Sequence, residues 1–178
     1  MRCWSFATYP PSARTPTRPY SHTPTIVLIL LLLAGCGVEP PKDFEGRVVG
    51  VMDGDTIEVL ANWRVNRVRL YGVDCPESKQ PYGRRAKQFT SSASYFRWAK
   101  VHTVTVDRYG RRVGTVTLPD NKVLNHELVR AGYAWWYRQY APDDSTLEAV
   151  EKDARAAKRG LWSQKNPTPP WEWRERRR

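Results

Sequence analysis

Four short stretches of this 178-residue chain hold acids and arginines in a balance suited to phosphodiester chemistry: Asp53-Gly54-Asp55-Thr56, Arg69, Asp74-Cys75-Pro76-Glu77 and Tyr109-Gly110-Arg111. Cleaving a phosphate ester asks little covalent work of side chains. It needs hard oxygen ligands for a divalent cation, a group that positions or deprotonates water, and fixed positive charge for the phosphorane oxygens. Asp55 and Asp74 can supply the oxygens, Glu77 the handling of water, and Arg69 and Arg111 the charge. Each fragment also has a plainer reading. Asp-Gly is a common hairpin turn, and Arg69 alternates with Val68 and Leu70 as on any solvated strand face. Asp-Cys-Pro-Glu could open the next helix, and Tyr109-Gly110-Arg111 could simply connect two strands.

The elements that must position these residues are legible from periodicity. Over 46–73, Val49, Val51, Ile57, Val59, Val65, Val68, Leu70 and Val73 alternate with polar residues. Asp53-Gly54 and Ala61-Asn62 break the run, which predicts a three-strand meander. Over 82–98 the alternation stops, and Ala86, Phe89, Ala93 and Phe96 recur at near-helical spacing. Two further strands are predicted over 101–106 and 113–118, and a short helix over 123–130 is stopped by Gly132. Ser145-Thr146-Leu147-Glu148 fits a capping box ahead of a stripe of Leu147, Val150, Ala154 and Ala157, with Gly160 as the stop. Leu161-Trp162 should then turn back onto the core. Five strands and three helices in this order predict an α+β fold, a five-stranded OB-type β-barrel with helical cover.

Lys and Arg total 29 against 18 Asp and Glu, a net charge of +11. Such an excess suits a polyanion, because cationic side chains displace the counterions condensed on nucleic acid; a solvated basic surface would look the same. Residues 1–35 carry Arg2, Arg14 and Arg18, no acid, and an apolar run over 26–33. That is the pattern of a secretory signal, and the run is shorter than the ~20 residues of a spanning helix. Leu33-Ala34-Gly35-Cys36 resembles the bacterial lipobox, which predicts lipidation of Cys36 after cleavage; a signal anchor or ordinary cleavage nearby are the alternatives. The expected organisation is a signal peptide (1–35), a tether (36–43), a folded domain (44–163) and a disordered Pro/Trp/Arg-rich tail (164–178). Removal of the signal and acylation of Cys36 leave Cys75 alone, so neither an internal disulfide nor a Cys/His zinc site is expected. His102 and His126 have no partner in the sequence that would make a base or metal set.

In their order and spacing these motifs identify a resemblance. From about 45 to 162 the chain resembles the staphylococcal nuclease (thermonuclease) family, through Asp53-Gly54-Asp55-Thr56, Val68-Arg69-Leu70, Val73-Asp74-Cys75-Pro76-Glu77, Asp107-Arg108-Tyr109-Gly110-Arg111 and Gly160-Leu161-Trp162. The resemblance implies that Asp55, Asp74 and the backbone carbonyl of Cys75 hold Ca²⁺, with Cys75 standing where Thr is common in the family. It implies Glu77 as general base or water-positioning group, and Arg69 and Arg111 as a clamp on the scissile phosphate. Arg108 and Tyr109 would contact the substrate, and Tyr137 would form a base-stacking wall. The loop after Glu77 is shorter than in the best-known members, and Arg84-Arg85 replace a more usual acidic pair. The implied protein is a calcium-dependent, sequence-nonspecific endonuclease of DNA and RNA that leaves 3′-phosphates. It is expected to be a monomer, anchored outside the cytoplasm through lipidated Cys36, or else secreted or signal-anchored. The rival reading is a non-catalytic nucleic-acid-binding OB-type module at the cell envelope. Such modules typically lack part of the acid and arginine set, and this chain lacks none of it.

Overall fold

The computed structural model describes residues 43–177. The signal peptide, Cys36 and all but the last residue of the tether lie outside the described residues. Three strands, β1 (Asp43–Asp53), β2 (Thr56–Ala61) and β3 (Arg64–Leu70), form the expected antiparallel meander. After helix α1 (Gly83–Ser94), strands β5 (Trp98–Val106) and β6 (Arg112–Thr117) complete a closed barrel in the order β1-β2-β3-β6-β5. Strand β5 returns to β1, and β3 meets β6 in parallel, with Arg69 beside Val113. Two short strands, β4 (Val73–Asp74) and β7 (Trp135–Trp136), pair outside the barrel. Helices α2 (Leu124–Arg130) and α3 (Ser145–Ala156), a 3₁₀ turn (Gly160–Ser163) and helix α4 (Pro170–Glu175) complete the chain.

Alternation explains most of the core, but in β1 Val48 rather than Val49 is the buried residue, next to a register shift between Val48 and Gly50, and Val65 is exposed. Val48, Ile57, Val59, Val68, Leu70, Val101 and Val116 point into the barrel and are fully buried or nearly so. Each such side chain contributes about 1.5–3 kcal/mol of transfer free energy, and closure leaves no open edge. The strand ends sort the polar residues. Asp53, Thr56 and Leu70 lie at one end of the barrel, where β4 also begins. The Asn62-Trp63 turn lies at the other, with both residues at positive φ and Trp63 97% exposed.

Three expectations need correction. The helix predicted over 82–98 ends at Ser94, because Phe96 turns out at φ 60 and its N–H donates to Val48 O, starting the return to the sheet. Phe96 is exposed and Trp98 opens β5. The capping residue of α3 is Asp144, whose carboxylate accepts from Leu147 N at 2.9 Å, so the cap stands one residue before Ser145. The tail is not disordered over 170–175. Pro170 opens a helix at a position where a missing N–H costs nothing, and Trp171 packs edge-on against Trp135 with ring centroids 5.7 Å apart.

Gly83 illustrates how closely the site loop is packed. A Cβ there would lie 1.9 Å from the carbonyl oxygen of Glu77. Alanine ordinarily favours a helix over glycine by about 1 kcal/mol, but this clash is with backbone. We expect Gly83→Ala to destabilise the domain by about 1–3 kcal/mol, read as a lower midpoint in urea. A midpoint equal to or above wild type would contradict the packing described.

Candidate active site

Two carboxylates sit side by side at the acidic end of the barrel, and one arginine joins them. Arg69, near the end of β3, donates Nη1 to Asp55 Oδ1 at 2.7 Å and Nη2 to Asp74 Oδ1 at 2.9 Å. Asp55 and Asp74 are only 3% and 1% exposed. Taking a carboxylate out of water costs several kcal/mol, so such groups persist only when paired. The other oxygen of Asp55 accepts the Cys75 N–H at 2.9 Å, which ties the β1–β2 turn to the loop after β4. Thr90 Oγ1 of α1 donates to Gly54 O at 2.6 Å and fixes the same turn from beneath. Burial pushes the Asp55 carboxyl up to about 7 against the pull of Arg69, with Asp53 and Asp74 pushing the same way.

Glu77 stands on the loop that follows. Its N–H donates to Gln80 Oε1 at 3.1 Å, and Gln80 Nε2 donates to Thr168 O at 2.6 Å, so one glutamine ties the loop to the C-terminal segment. Tyr82 ends the loop at φ 70, a left-handed conformation that costs an L-residue roughly 1–2 kcal/mol. Its hydroxyl pairs with Ser163 Oγ at 2.7 Å. The Glu77 carboxylate meets Arg174: Nη1 is 2.8 Å from Oε1, while Nη2 is 2.8 Å from Asp74 Oδ2.

The arginine and tyrosine of the β5–β6 connection form a second group. Arg111 immediately precedes β6, two residues before the strand partner of Arg69. Its guanidinium is held by Asp107 at 2.7 Å, and the same aspartate accepts the N–H groups of Tyr109 and Arg111. The Tyr109 ring lies under Arg108 and Arg111, at 4.9 and 5.5 Å. Thus Arg69, Asp55, Asp74 and Glu77 converge, whereas Arg108, Tyr109 and Arg111 are tied to one another. Tyr137 follows β7, and its N–H donates to Gly72 O at 2.8 Å. Burial first, and the Asp74 charge second, raise its phenol above the usual value.

The donor set fits a hard cation in part. Among the described residues no three His, Cys, Asp or Glu side chains converge into a metal cluster. Two buried carboxylates and a carbonyl such as that of Cys75 are the oxygen chemistry that calcium accepts, with water and phosphate completing the shell. Sequence reading passed over Trp171, Arg174 and Glu151. Glu151 is buried and accepts the Trp136 N–H at 3.1 Å, so it holds β7 in place with Arg138 and Arg155 against its other oxygen. The signal for α4 was Pro-Pro before Trp171, a helix start with apolar content.

Comparison with known proteins fits this geometry. Residues 67–164 match the family model described as staphylococcal nuclease homologue. An uncharacterized endonuclease of Escherichia coli O157:H7 is 46% identical over 135 residues, covering 76% of this chain and 88% of that protein. The chain belongs to the staphylococcal nuclease family. A micrococcal nuclease of Shigella flexneri is 42% identical, across 74% of this chain and 81% of that protein. An uncharacterized endonuclease of Haemophilus influenzae is 34% identical, across 84% and 82%. This staphylococcal nuclease homologue is a phosphodiester-hydrolysing nuclease, which sets aside the non-catalytic module.

Cys75 gives a direct check on the packing of the site. Its side chain is buried, and burial with the neighbouring Asp55 charge pushes its thiol well above the usual range. The thiolate is the reactive form. Cys75 should therefore resist a thiol reagent in the native protein and react on unfolding, as mapped by peptide mass spectrometry. Rapid native labelling would mean the loop stands open.

Proposed function

We propose that this nuclease is a calcium-dependent, sequence-nonspecific endonuclease of DNA and RNA that leaves 3′-phosphates. The observation that carries the reading is the Arg69 bridge, 2.7 Å from Asp55 and 2.9 Å from Asp74, which sets two buried carboxylates and a guanidinium in one place. Asp55, Asp74 and the Cys75 carbonyl would hold the cation. The bound cation would supply Lewis acidity toward a phosphoryl oxygen. Arg69 is committed to both acids and offers its remaining N–H groups to a phosphate. Arg111, released from Asp107, would bring a second planar fork to the same phosphate. Glu77 is partly exposed and would accept or orient the proton of the attacking water. Tyr109, Arg108 and Tyr137 supply rings and charge for single-stranded substrate.

The same reading covers location. We propose anchoring outside the cytoplasm through lipidated Cys36. Support comes from the lipobox pattern Leu33-Ala34-Gly35-Cys36 after an apolar run over 26–33.

A chelator-controlled assay on denatured DNA tests the reaction. Cleavage should need calcium and leave ends that a 3′-phosphatase converts to hydroxyls. Equal cleavage with and without chelator, or 5′-phosphate ends, would refute it. Glu77→Ala and Arg111→Ala should each lower kcat by at least ~100-fold, the scale for losing a positioned base or charge donor. Rates near wild type would move the chemistry to other residues.

A further inference from the structure

The C-terminal segment returns across the face where substrate and cation would meet. Helix α4 lays the indole of Trp171 flat on Tyr137, with ring centroids 5.2 Å apart and planes inclined by 4°. One turn on, Arg174 spans the two acids. Its Nη2 lies 2.8 Å from Asp74 Oδ2, and its Nη1 lies 3.3 Å from Asp74 Oδ1 and 2.8 Å from Glu77 Oε1. A stacked aromatic plane on Tyr137 is what a nucleobase would present. A guanidinium on Asp74 and Glu77 places positive charge on oxygens that a divalent cation and an attacking water would use. Both features come from one short segment and fall on both halves of the site.

We propose that the strap of residues 167–177 is an internal competitor that occupies the site and must leave it before a divalent cation and single-stranded nucleic acid can bind. This rests on the roles given above to Asp74, Glu77 and Tyr137. The hold has an open end and a buried end. Arg174 and Glu77 keep 37% and 44% of their side chains exposed, and a pair open to water is worth little net free energy. The contact with the 1% exposed Asp74, in contrast, is the one an incoming cation must replace. Besides the packing of Pro170 and Trp171, the strap is held by the bonds that Thr168 O accepts from Gln80 and that Arg174 donates to Asp74 and Glu77. The ligand itself favours displacement. Once lifted, Arg174, Arg176 and Arg177 would exchange carboxylates and solvent for backbone phosphates, so polyanion arrival and strap release reinforce one another.

The test is calorimetric titration of the full chain with calcium chloride, comparing wild type, Arg174→Ala and Arg177→Ala. Arg177 lies over Trp173 at 5.1 Å, so Arg177→Ala removes the same unit of charge while leaving the Arg174 bonds to Asp74 and Glu77 in place, and it controls for net charge. Arg174→Ala should tighten calcium about tenfold, the scale of freeing charge-assisted hydrogen bonds, and Arg177→Ala much less. An unchanged or weaker affinity in Arg174→Ala, no measurable calcium binding in any variant, or equal tightening in both variants would overturn the proposal. In a second measurement, fluorescence anisotropy with a short oligothymidine in chelator, Trp171→Ala should tighten binding. Weaker binding by a folded Trp171→Ala would make the indole part of the substrate platform and would also overturn the proposal. Nuclease activity is read separately: if all variants bind calcium in the predicted order yet none cleaves, the strap stands and the calcium-dependent reaction fails.

Discussion

The structure around the site depends on one arrangement, two desolvated carboxylates sharing a single guanidinium. Neither Asp55 nor Asp74 could be buried alone at tolerable cost, and Arg69 alone could not be held so near the core. Their contacts also connect three elements that are far apart in sequence. Arg69 lies on β3, Asp55 on the β1–β2 turn and Asp74 on β4, and the Cys75 N–H closes the set by bonding back to Asp55. Loss of Arg69 would leave Asp55 without a cationic partner, and loss of Asp55 would free the Cys75 N–H that ties down the loop leading to Glu77.

The barrel makes this possible through register. Pairing of Thr56 with Arg69 brings the turn acid beside the arginine, and the parallel pairing of Arg69 with Val113 brings the Arg111 loop to the neighbouring strand. Asn125 of α2 secures that region. It donates to Tyr71 O at 2.9 Å and accepts from Val116 N at 3.1 Å, linking β6 to the chain between β3 and β4. On the other side, the β4–β7 pairing sets Trp135 opposite Asp74 and so delivers Tyr137 to the rim. Rigid strands thus fix the acids, while loops carry Glu77 and Arg111 and the final helix lies against Glu77.

The alternation that made the barrel readable reflects a period-two constraint that every strand obeys. The acids and Arg69 were legible only as a set, through their order along the chain and the family resemblance, since each alone reads equally as a turn or a solvated strand face. Phe96 misled because helical spacing continued across a backbone reversal that only pairing with Val48 reveals. The tail misled in the opposite sense. Its prolines and arginines resemble a solvated end, but Trp171 finds Trp135 and Tyr137, and Arg174 finds acids 100 and 97 positions earlier. Contacts of such range leave no periodic mark in sequence. Glu151 was hidden similarly, as one acid on a helix whose burial depends on the β7 backbone above it.

The central claim is that Asp55 and Asp74 act together as the oxygen pair for a divalent cation. Calcium titration of Asp55→Asn and Asp74→Asn, each confirmed folded by circular dichroism, tests this most directly. The account predicts that either substitution lowers calcium affinity by at least ~10-fold, because one charged ligand oxygen is replaced by a neutral amide. Wild-type affinity in either folded variant would contradict it.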